Sequence, residues 1–334
     1  MTTQTEPRVV FAPARIAALG MFAPERVLTN ADFERMVDTT DEWIVKRTGI
    51  KRRHVVSENQ YTSDLAIAAV DDLLANNPDV DLETVDYIVV GSTTPDYEYP
   101  SLSAMLQAHY KLPLTIGAFD ISTACAAFAY GINLGAGLIG TGQANRVLIV
   151  TADSLTRSVD YTDRSTCVLF GDGAGAAVLE YSRHPAIFGM DAGSDGNGGK
   201  FLYRTAMRTE INGIEDTSRL LRQEGQAVYR WVMENVPAYV YRIVSRAGLA
   251  LEDIDWFVPH SANLRMIEAL CKRLPFPIER TLTSVEEYGN TSAVSIPLAL
   301  VPAVRDGRVK PGQRILLMGF GGGLVTAGSV IVWT

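Results

Sequence analysis

A thiol, an imidazole and a carboxamide stand where side chains could do covalent chemistry: Cys125, His260 and Asn290. Cys125 lies in Asp120-Ile121-Ser122-Thr123-Ala124-Cys125-Ala126-Ala127-Phe128, between an apolar run that reads as a strand and an Ala/Gly-rich run that reads as a helix. At the first turn of a helix the unpaired N–H groups and the axial dipole favour an anion. A thiol so placed is expected to ionise readily and act as a nucleophile. His260 closes the apolar run Trp256-Phe257-Val258-Pro259, and its imidazole can hold or move a proton near neutral pH. Asn290 sits in Tyr288-Gly289-Asn290-Thr291-Ser292. Each has a plainer role available. A buried cysteine is a small hydrophobe, a histidine can cap or fill a core, and Gly-Asn is ordinary turn chemistry. The residues alone leave both roles open. Cys167, in Ser165-Thr166-Cys167-Val168-Leu169-Phe170, reads as a strand residue and Cys271 as a structural helix residue. His54 and His109 lie in polar contexts that read as exposed, and His184 neighbours Pro185.

These residues must be positioned by elements far apart in the chain. Runs 86–90, 146–151, 255–258 and 314–318 read as strands buried on both faces. Thr62 to Asn76 and Gln226 to Ala247 show helical apolar spacing, the second with Pro237 as an expected kink. Alternating strands and helices imply an α/β architecture. Two segments also repeat. Leu82-Glu83-Thr84-Val85-Asp86-Tyr87 resembles Leu251-Glu252-Asp253-Ile254-Asp255-Trp256, an offset of 169 (255 against 86). Arg146-Val147-Leu148-Ile149-Val150 resembles Arg314-Ile315-Leu316-Leu317-Met318, an offset of 168 (314 against 146). The expectation is two similar halves, 1–182 with the thiol and 183–334 with the imidazole and carboxamide, stacked in five layers. Shifted by 168, Cys125 corresponds to Ala293 and His260 to Ser92, so all three groups fall just beyond strand ends, where α/β sheets collect ligands.

Composition narrows the function. With 334 residues, 47% hydrophobic and 20% charged, the chain can bury one large core or two smaller ones. A formal net charge of -8 argues against nucleic acid or a membrane as partner of the whole molecule, though a local basic cluster could meet an acidic one. Three dispersed cysteines without a C-x-x-C pair suit a reducing cytosol and imply neither a disulfide framework nor a metal site. The run Met1 to Arg8 has no basic-then-apolar leader pattern, and no apolar stretch is long enough to span a bilayer. A cytoplasmic protein is expected.

Glycine-rich runs complete the inventory. Gly171-Asp172-Gly173-Ala174-Gly175-Ala176-Ala177 fits G-x-G-x-x-A but leads into β-like residues, so a structural turn is favoured over a phosphate cradle. Gly193 to Gly199 reads as a loop. Phe320-Gly321-Gly322-Gly323 can bring backbone N–H groups close to a substrate, as an oxyanion hole requires.

Taken in order, Thr39-Thr40-Asp41-Glu42-Trp43-Ile44 through Arg47-Thr48-Gly49-Ile50, Ser122-Thr123-Ala124-Cys125-Ala126, Gly171 to Ala176, Val258-Pro259-His260-Ser261-Ala262-Asn263, Tyr288 to Ser292 and Phe320 to Gly323 resemble the β-ketoacyl-acyl carrier protein synthase III family of condensing enzymes, in the thiolase superfamily. The resemblance covers nearly the whole chain. It implies the duplicated α/β/α/β/α thiolase fold, a homodimer, and a Cys-His-Asn set on Cys125, His260 and Asn290, with an oxyanion hole at the backbone of Cys125 and Gly322. The implied reaction takes a short acyl group from acyl-CoA onto Cys125 and condenses it with malonyl-acyl carrier protein, starting fatty-acid synthesis. Acyl-CoA is a substrate, and no cofactor is implied.

The resemblance also implies a CoA site at Trp43, Arg47, Arg157, Gly225 and Asn263, with the adenine between Trp43 and Arg157, and a carrier-protein patch at Arg265, Lys272 and Arg273. Such a patch would reconcile an acidic enzyme with an acidic partner. Two residues depart from the family pattern: Ser261, where many members carry Gln, and Tyr99, where a phenylalanine from the partner subunit often closes the acyl pocket. Two other functions were weighed, a related acyltransferase of a secondary pathway and a non-catalytic acyl-CoA or carrier-protein binding module. Intact Cys125, His260 and Asn290 argue against the second, since binding alone needs none of them.

Overall fold

Short runs of β-branched and small apolar residues form two five-stranded sheets in the computed structural model, which describes residues 9–334. The segment Met1–Arg8 lies outside the described residues. The first sheet comprises β1 (Ala14–Phe22), β2 (Tyr87–Gly91), β3 (Gly117–Ile121), β4 (Arg146–Asp153) and β5 (Gly173–Tyr181), in the order β1-β5-β4-β2-β3. The second comprises β6 (Ile187–Ser194), β7 (Trp256–Pro259), β8 (Arg314–Gly321) and β9 (Val325–Val332), in the order β6-β9-β8-β7. Beyond β7, Phe257 bridges in parallel to Thr281, where the first sheet has β3. The strand order therefore repeats from one half to the other.

The registers repeat as well. Tyr87 pairs with Val147 and Trp256 with Ile315, both in parallel. The Asp86 carboxylate accepts the Arg146 N–H at 3.0 Å, and the Asp255 carboxylate accepts the Arg314 N–H at 2.7 Å. One element crosses over: the short strand Phe11–Ala12 pairs with β6, so a piece of residues 1–182 completes the second sheet.

Seven helices complete the layers that frame the site: α1 (Asp41–Thr48), α2 (Thr62–Asn76), α3 (Leu102–His109), α4 (Ala127–Gly140), α5 (Gly225–Arg246), α6 (Leu264–Arg273) and α7 (Ser295–Arg305). The middle layer is α4 and α7. Their buried Phe128, Ile132, Ile139, Ile296 and Leu300 share one core with Ile149 and Leu179 of the first sheet and Leu317 and Ile331 of the second. Burying each such side chain is worth about 1.5–3 kcal/mol. A layer that must satisfy two sheets explains why α4 is apolar nearly all round. Helices α2 and α3 cover the far face of the first sheet, α5 and α6 that of the second.

Three local readings of the sequence are corrected. Cys167 ends a short helix, Arg164–Cys167, because the Asp163 side chain caps the Ser165 N–H and starts a turn that overrides the β-branched run. Gly193 to Gly199 is no open loop: Gly193 and Ser194 finish β6, and Gly196–Phe201 is a 3-10 helix capped by Asp195. His54 is half-buried, its Nδ1 on the Pro24 carbonyl at 2.5 Å, whereas His109 and His184 are exposed. All three cysteines are free thiols. No helix among the described residues is long and apolar enough to cross a membrane.

Candidate active site

Cys125 occupies the 3-10 turn Ala124–Ala126 that joins β3 to the start of α4. Ala124 before it adopts φ 43, a left-handed conformation that costs an L-residue roughly 1–2 kcal/mol. The second half repeats the device. Ser292 has φ 54 in the turn Ser292–Val294 that leads into α7, an offset of 168 (292 against 124). The two turns meet in the middle of the molecule. Gly321, at the end of β8, is glycine because a Cβ there would lie 2.9 Å from Cys125 Sγ.

His260 follows β7 and is held on both sides. Its N–H donates to the Met318 carbonyl at 2.8 Å, its ring meets Phe320 edge-on at 5.4 Å, and its Nδ1 lies 2.8 Å from Ser295 Oγ. Asn290 is fixed through its backbone, which donates to the Leu169 carbonyl and accepts from the Gly171 N–H. The glycine-rich run thus serves this turn. A Cβ on Gly171 would lie 2.1 Å from the Tyr288 carbonyl oxygen, and the buried Asp172 carboxylate ties down Val56 and Thr156. The Asn290 side-chain orientation follows from its partner. Oδ1 accepts the Ser292 N–H at 3.0 Å, which leaves the Nδ2 donors for the cavity.

Cys125, His260 and Asn290 line one cavity of about 420 Å3, together with Thr93, Leu202 and Gly322. All three residues are buried. Burial pushes the Cys125 thiol up to about 11, with the nearby Asp153 carboxylate adding to the rise. The Ser292 side chain and the N–H groups of Gly322 and Cys125 pull the other way. The expected low thiol pKa is therefore corrected: desolvation by burial outweighs the helix start. Burial likewise drives His260 down to about 3, so the imidazole is neutral at physiological pH. The arrangement supplies a thiol, two backbone N–H groups at that sulfur, and a separate pair of side-chain donors. Such an array can capture an acyl group and stabilise an oxygen anion.

The residues expected at a CoA site separate. Trp43, half-buried on α1, has the Arg164 guanidinium 5.1 Å and the Arg47 guanidinium 5.9 Å from its ring. Arg157 is not beside it. Its guanidinium lies over Tyr61 at 4.7 Å and donates to the carbonyls of Ser57, Glu58 and Gln60. The arginine that can form a stacking pair with Trp43 is Arg164, which the sequence reading missed. Gly225 opens α5 and Asn263 caps α6, and neither lines the cavity, although their neighbours Gln223, Val228, Ala262 and Met266 do. Asn263 instead donates to the Arg47 carbonyl. Arg265, Lys272 and Arg273 all lie exposed on α6. Arg265 is partly spent, bound to Glu268 and to the carbonyls of Val45 and Lys46, which brings Lys46 and Arg47 beside it. Tyr99 is 84% exposed and lies outside this chain's own cavity. Ser261 uses its short side chain locally, accepting the Ser284 N–H at 3.2 Å.

Three site residues went unread in the sequence, two of them for want of any signal. Asp153, at the end of β4, is fully buried, and one carboxylate oxygen accepts from the Thr93 N–H and from the hydroxyls of Thr93 and Thr94. It holds a wall of the cavity. Ser295 lies 35 residues from the histidine it contacts. Ser292 could have been found by applying the 168-residue offset to Ala124.

Residues 119–196 match the family model described as 3-oxoacyl-[acyl-carrier-protein (ACP)] synthase III, and residues 244–333 match its C-terminal counterpart. The chain is 49% identical over 322 residues to β-ketoacyl-[acyl-carrier-protein] synthase III 2 of Bacillus subtilis, an alignment covering 96% of this chain and 98% of that one. Among solved structures it is similar to a β-ketoacyl-[acyl carrier protein] synthase III from Thermus thermophilus, with TM-score 0.92, 43% identity and 96% and 99% coverage. It is also similar to the priming β-ketosynthase of the R1128 polyketide biosynthetic pathway, with TM-score 0.89, 34% identity and 99% and 98% coverage.

Proposed function

This chain belongs to the β-ketoacyl-acyl carrier protein synthase III family of condensing enzymes, and from that premise we propose how its residues divide the reaction. The observation that carries the reading is the convergence of Cys125, His260 and Asn290 on one cavity beside the Gly322 backbone. Cys125 Sγ attacks the thioester carbonyl of a short acyl-CoA. A C–S bond forms to the enzyme, the C–S bond to CoA breaks, and the departing CoA thiolate takes up the thiol proton. The N–H groups of Cys125 and Gly322 hold the tetrahedral oxyanion. Malonyl-acyl carrier protein then loses CO2, and the electron pair of the broken C–C bond passes into an enolate. His260 and Asn290 donate to that enolate oxygen, the nucleophilic carbon attacks the acyl-Cys125 carbonyl, and the C–S bond breaks to release Cys125 as a thiolate, which takes a proton from solvent. Aimed donors in a dry site can each lower a barrier by roughly 3 kcal/mol. A neutral His260 keeps one ring N–H, which suits a donor.

CoA is proposed to stack its adenine between Trp43 and Arg164, with Arg47 near the phosphates, and to pass its pantetheine arm by Asn263 and Gly225. The α6 cations Lys272 and Arg273, with Arg265, are proposed to receive the carrier protein. A homodimer is proposed from the free outer edge of β3 and the exposed Tyr97, Tyr99 and Leu114 around it, which would carry Tyr99 to the partner's acyl pocket. No metal or cofactor enters this reaction.

The test is a primer panel: acetyl-, isobutyryl- and isovaleryl-CoA, each with malonyl-acyl carrier protein, scored by CO2 release and β-ketoacyl product. At least one primer is expected to give both. Acyl transfer with no CO2 release would favour the acyltransferase of a secondary pathway instead.

A further inference from the structure

Ser295 opens α7 and is fully buried. Among the described residues its Oγ has two partners, the Ser261 backbone N–H at 3.0 Å and His260 Nδ1 at 2.8 Å. A backbone N–H can only donate, so toward Ser261 the oxygen accepts. The hydroxyl keeps one proton to give, and His260 Nδ1 is the acceptor in reach. Were Nδ1 protonated instead, it would donate to Oγ and strand the buried hydroxyl proton without an acceptor among the described residues, which is disfavoured.

We infer that Ser295 is a positioning residue that fixes His260 as the Nε2–H tautomer, so that the imidazole presents a donor rather than a base to the cavity. The inference rests on the proposed role of His260 toward the enolate oxygen, and it says where that role comes from. An imidazole protonated at Nε2 has no lone pair there to take the Cys125 proton. It can donate to an oxygen anion without changing its own charge. Ser261 contributes through its backbone alone, by occupying a lone pair of Ser295 Oγ and leaving the hydroxyl proton for the ring. Side-chain variation at position 261 is therefore compatible with an unchanged tautomer.

The chain has four histidines, so selective 15N-histidine labelling resolves the ring nitrogens, with His260→Asn assigning the signals. The full-length protein is expected to show His260 with a protonated-type Nε2 and an unprotonated-type Nδ1. In Ser295→Ala the two tautomers should mix, and CO2 release from malonyl-acyl carrier protein should fall by roughly 10-fold or more while acylation of Cys125 stays within about twofold. Ser295→Thr, which keeps the hydroxyl, should restore both the spectrum and CO2 release. A wild-type His260 protonated at Nδ1 overturns the inference, and this spectrum needs no variant to fold. A Ser295→Ala protein that keeps a pure Nε2–H signal overturns it too. Tautomer mixing without loss of CO2 release would leave the lock standing and sink the donor role of His260 instead.

Discussion

The turn at Ala124–Ala126 and the turn at Ser292–Val294 are the same structure with different chemistry. Each begins with a left-handed residue, each continues into a middle-layer helix, and each follows a strand or bridge at the same edge of its sheet. In the first half the residue after the strained one is Cys125, and in the second it is Ala293. Where the second half has His260, the first has Ser92, whose hydroxyl reaches Asp153. Duplication supplied two equivalent strand-end platforms facing one cavity. In the proposed mechanism the first was kept for covalent capture and the second for hydrogen-bond donation. The difference teaches that the scaffold sets position while single side chains set role.

Removing the thiol should have the largest effect. Cys125→Ala is expected to abolish covalent labelling by acyl-CoA and to lower condensation by about 10^4-fold or more, read by intact mass and product formation. Retained label would mean the nucleophile lies elsewhere. Removing a donor from the other platform should cost less. Asn290→Ala should slow condensation by roughly 10^2–10^3-fold, with acylation of Cys125 nearly unchanged in a single-turnover assay.

The electrostatic contrast can be sharpened by pH. With its pKa pushed up to about 11, free Cys125 is a thiol at neutral pH, so its alkylation by iodoacetamide should rise about tenfold per pH unit from pH 7 to 10 without levelling off. A plateau near pH 7 would show that the helix start prevails over burial. His260 should act on stability. Its folded pKa, about 3, lies below the unfolded 6.5, so unfolding takes up a proton in that window. The stability is present above pH 6.5 and lost as pH falls toward 3, by up to about 1.4 kcal/mol per pH unit from this group. Denaturant melts of wild type and His260→Asn should diverge there and run parallel above pH 7.

Backbone strain should give the smallest effect and the closest symmetry. Ala124→Gly and Ser292→Gly should each relieve the left-handed conformation, by about 1 kcal/mol, offset in part by glycine's greater chain entropy. A large effect at one turn and none at the other would break the equivalence of the halves.

The repeated strand-like runs and the three chemical side chains were legible because each leaves a local mark: apolar runs at a fixed offset, or a reactive residue just past a strand. Contacts made across the cavity left none. Arg164 was missed for Arg157 because the choice between them depends on which of two short helical turns points its guanidinium at Trp43 and which at Tyr61. Ser295 belongs to no motif in the sequence. The ionisation of Cys125 was misjudged because sequence shows the helix start but not the depth of burial around it.

The division of labour is tested most directly in one variant, His260→Ala, by following two signals from the same reaction. The account predicts that the protein gains the acyl mass at a rate close to wild type and releases almost no CO2 from malonyl-acyl carrier protein. If acylation and CO2 release fall together, His260 serves the thiol as well, and the two platforms do not have separate roles.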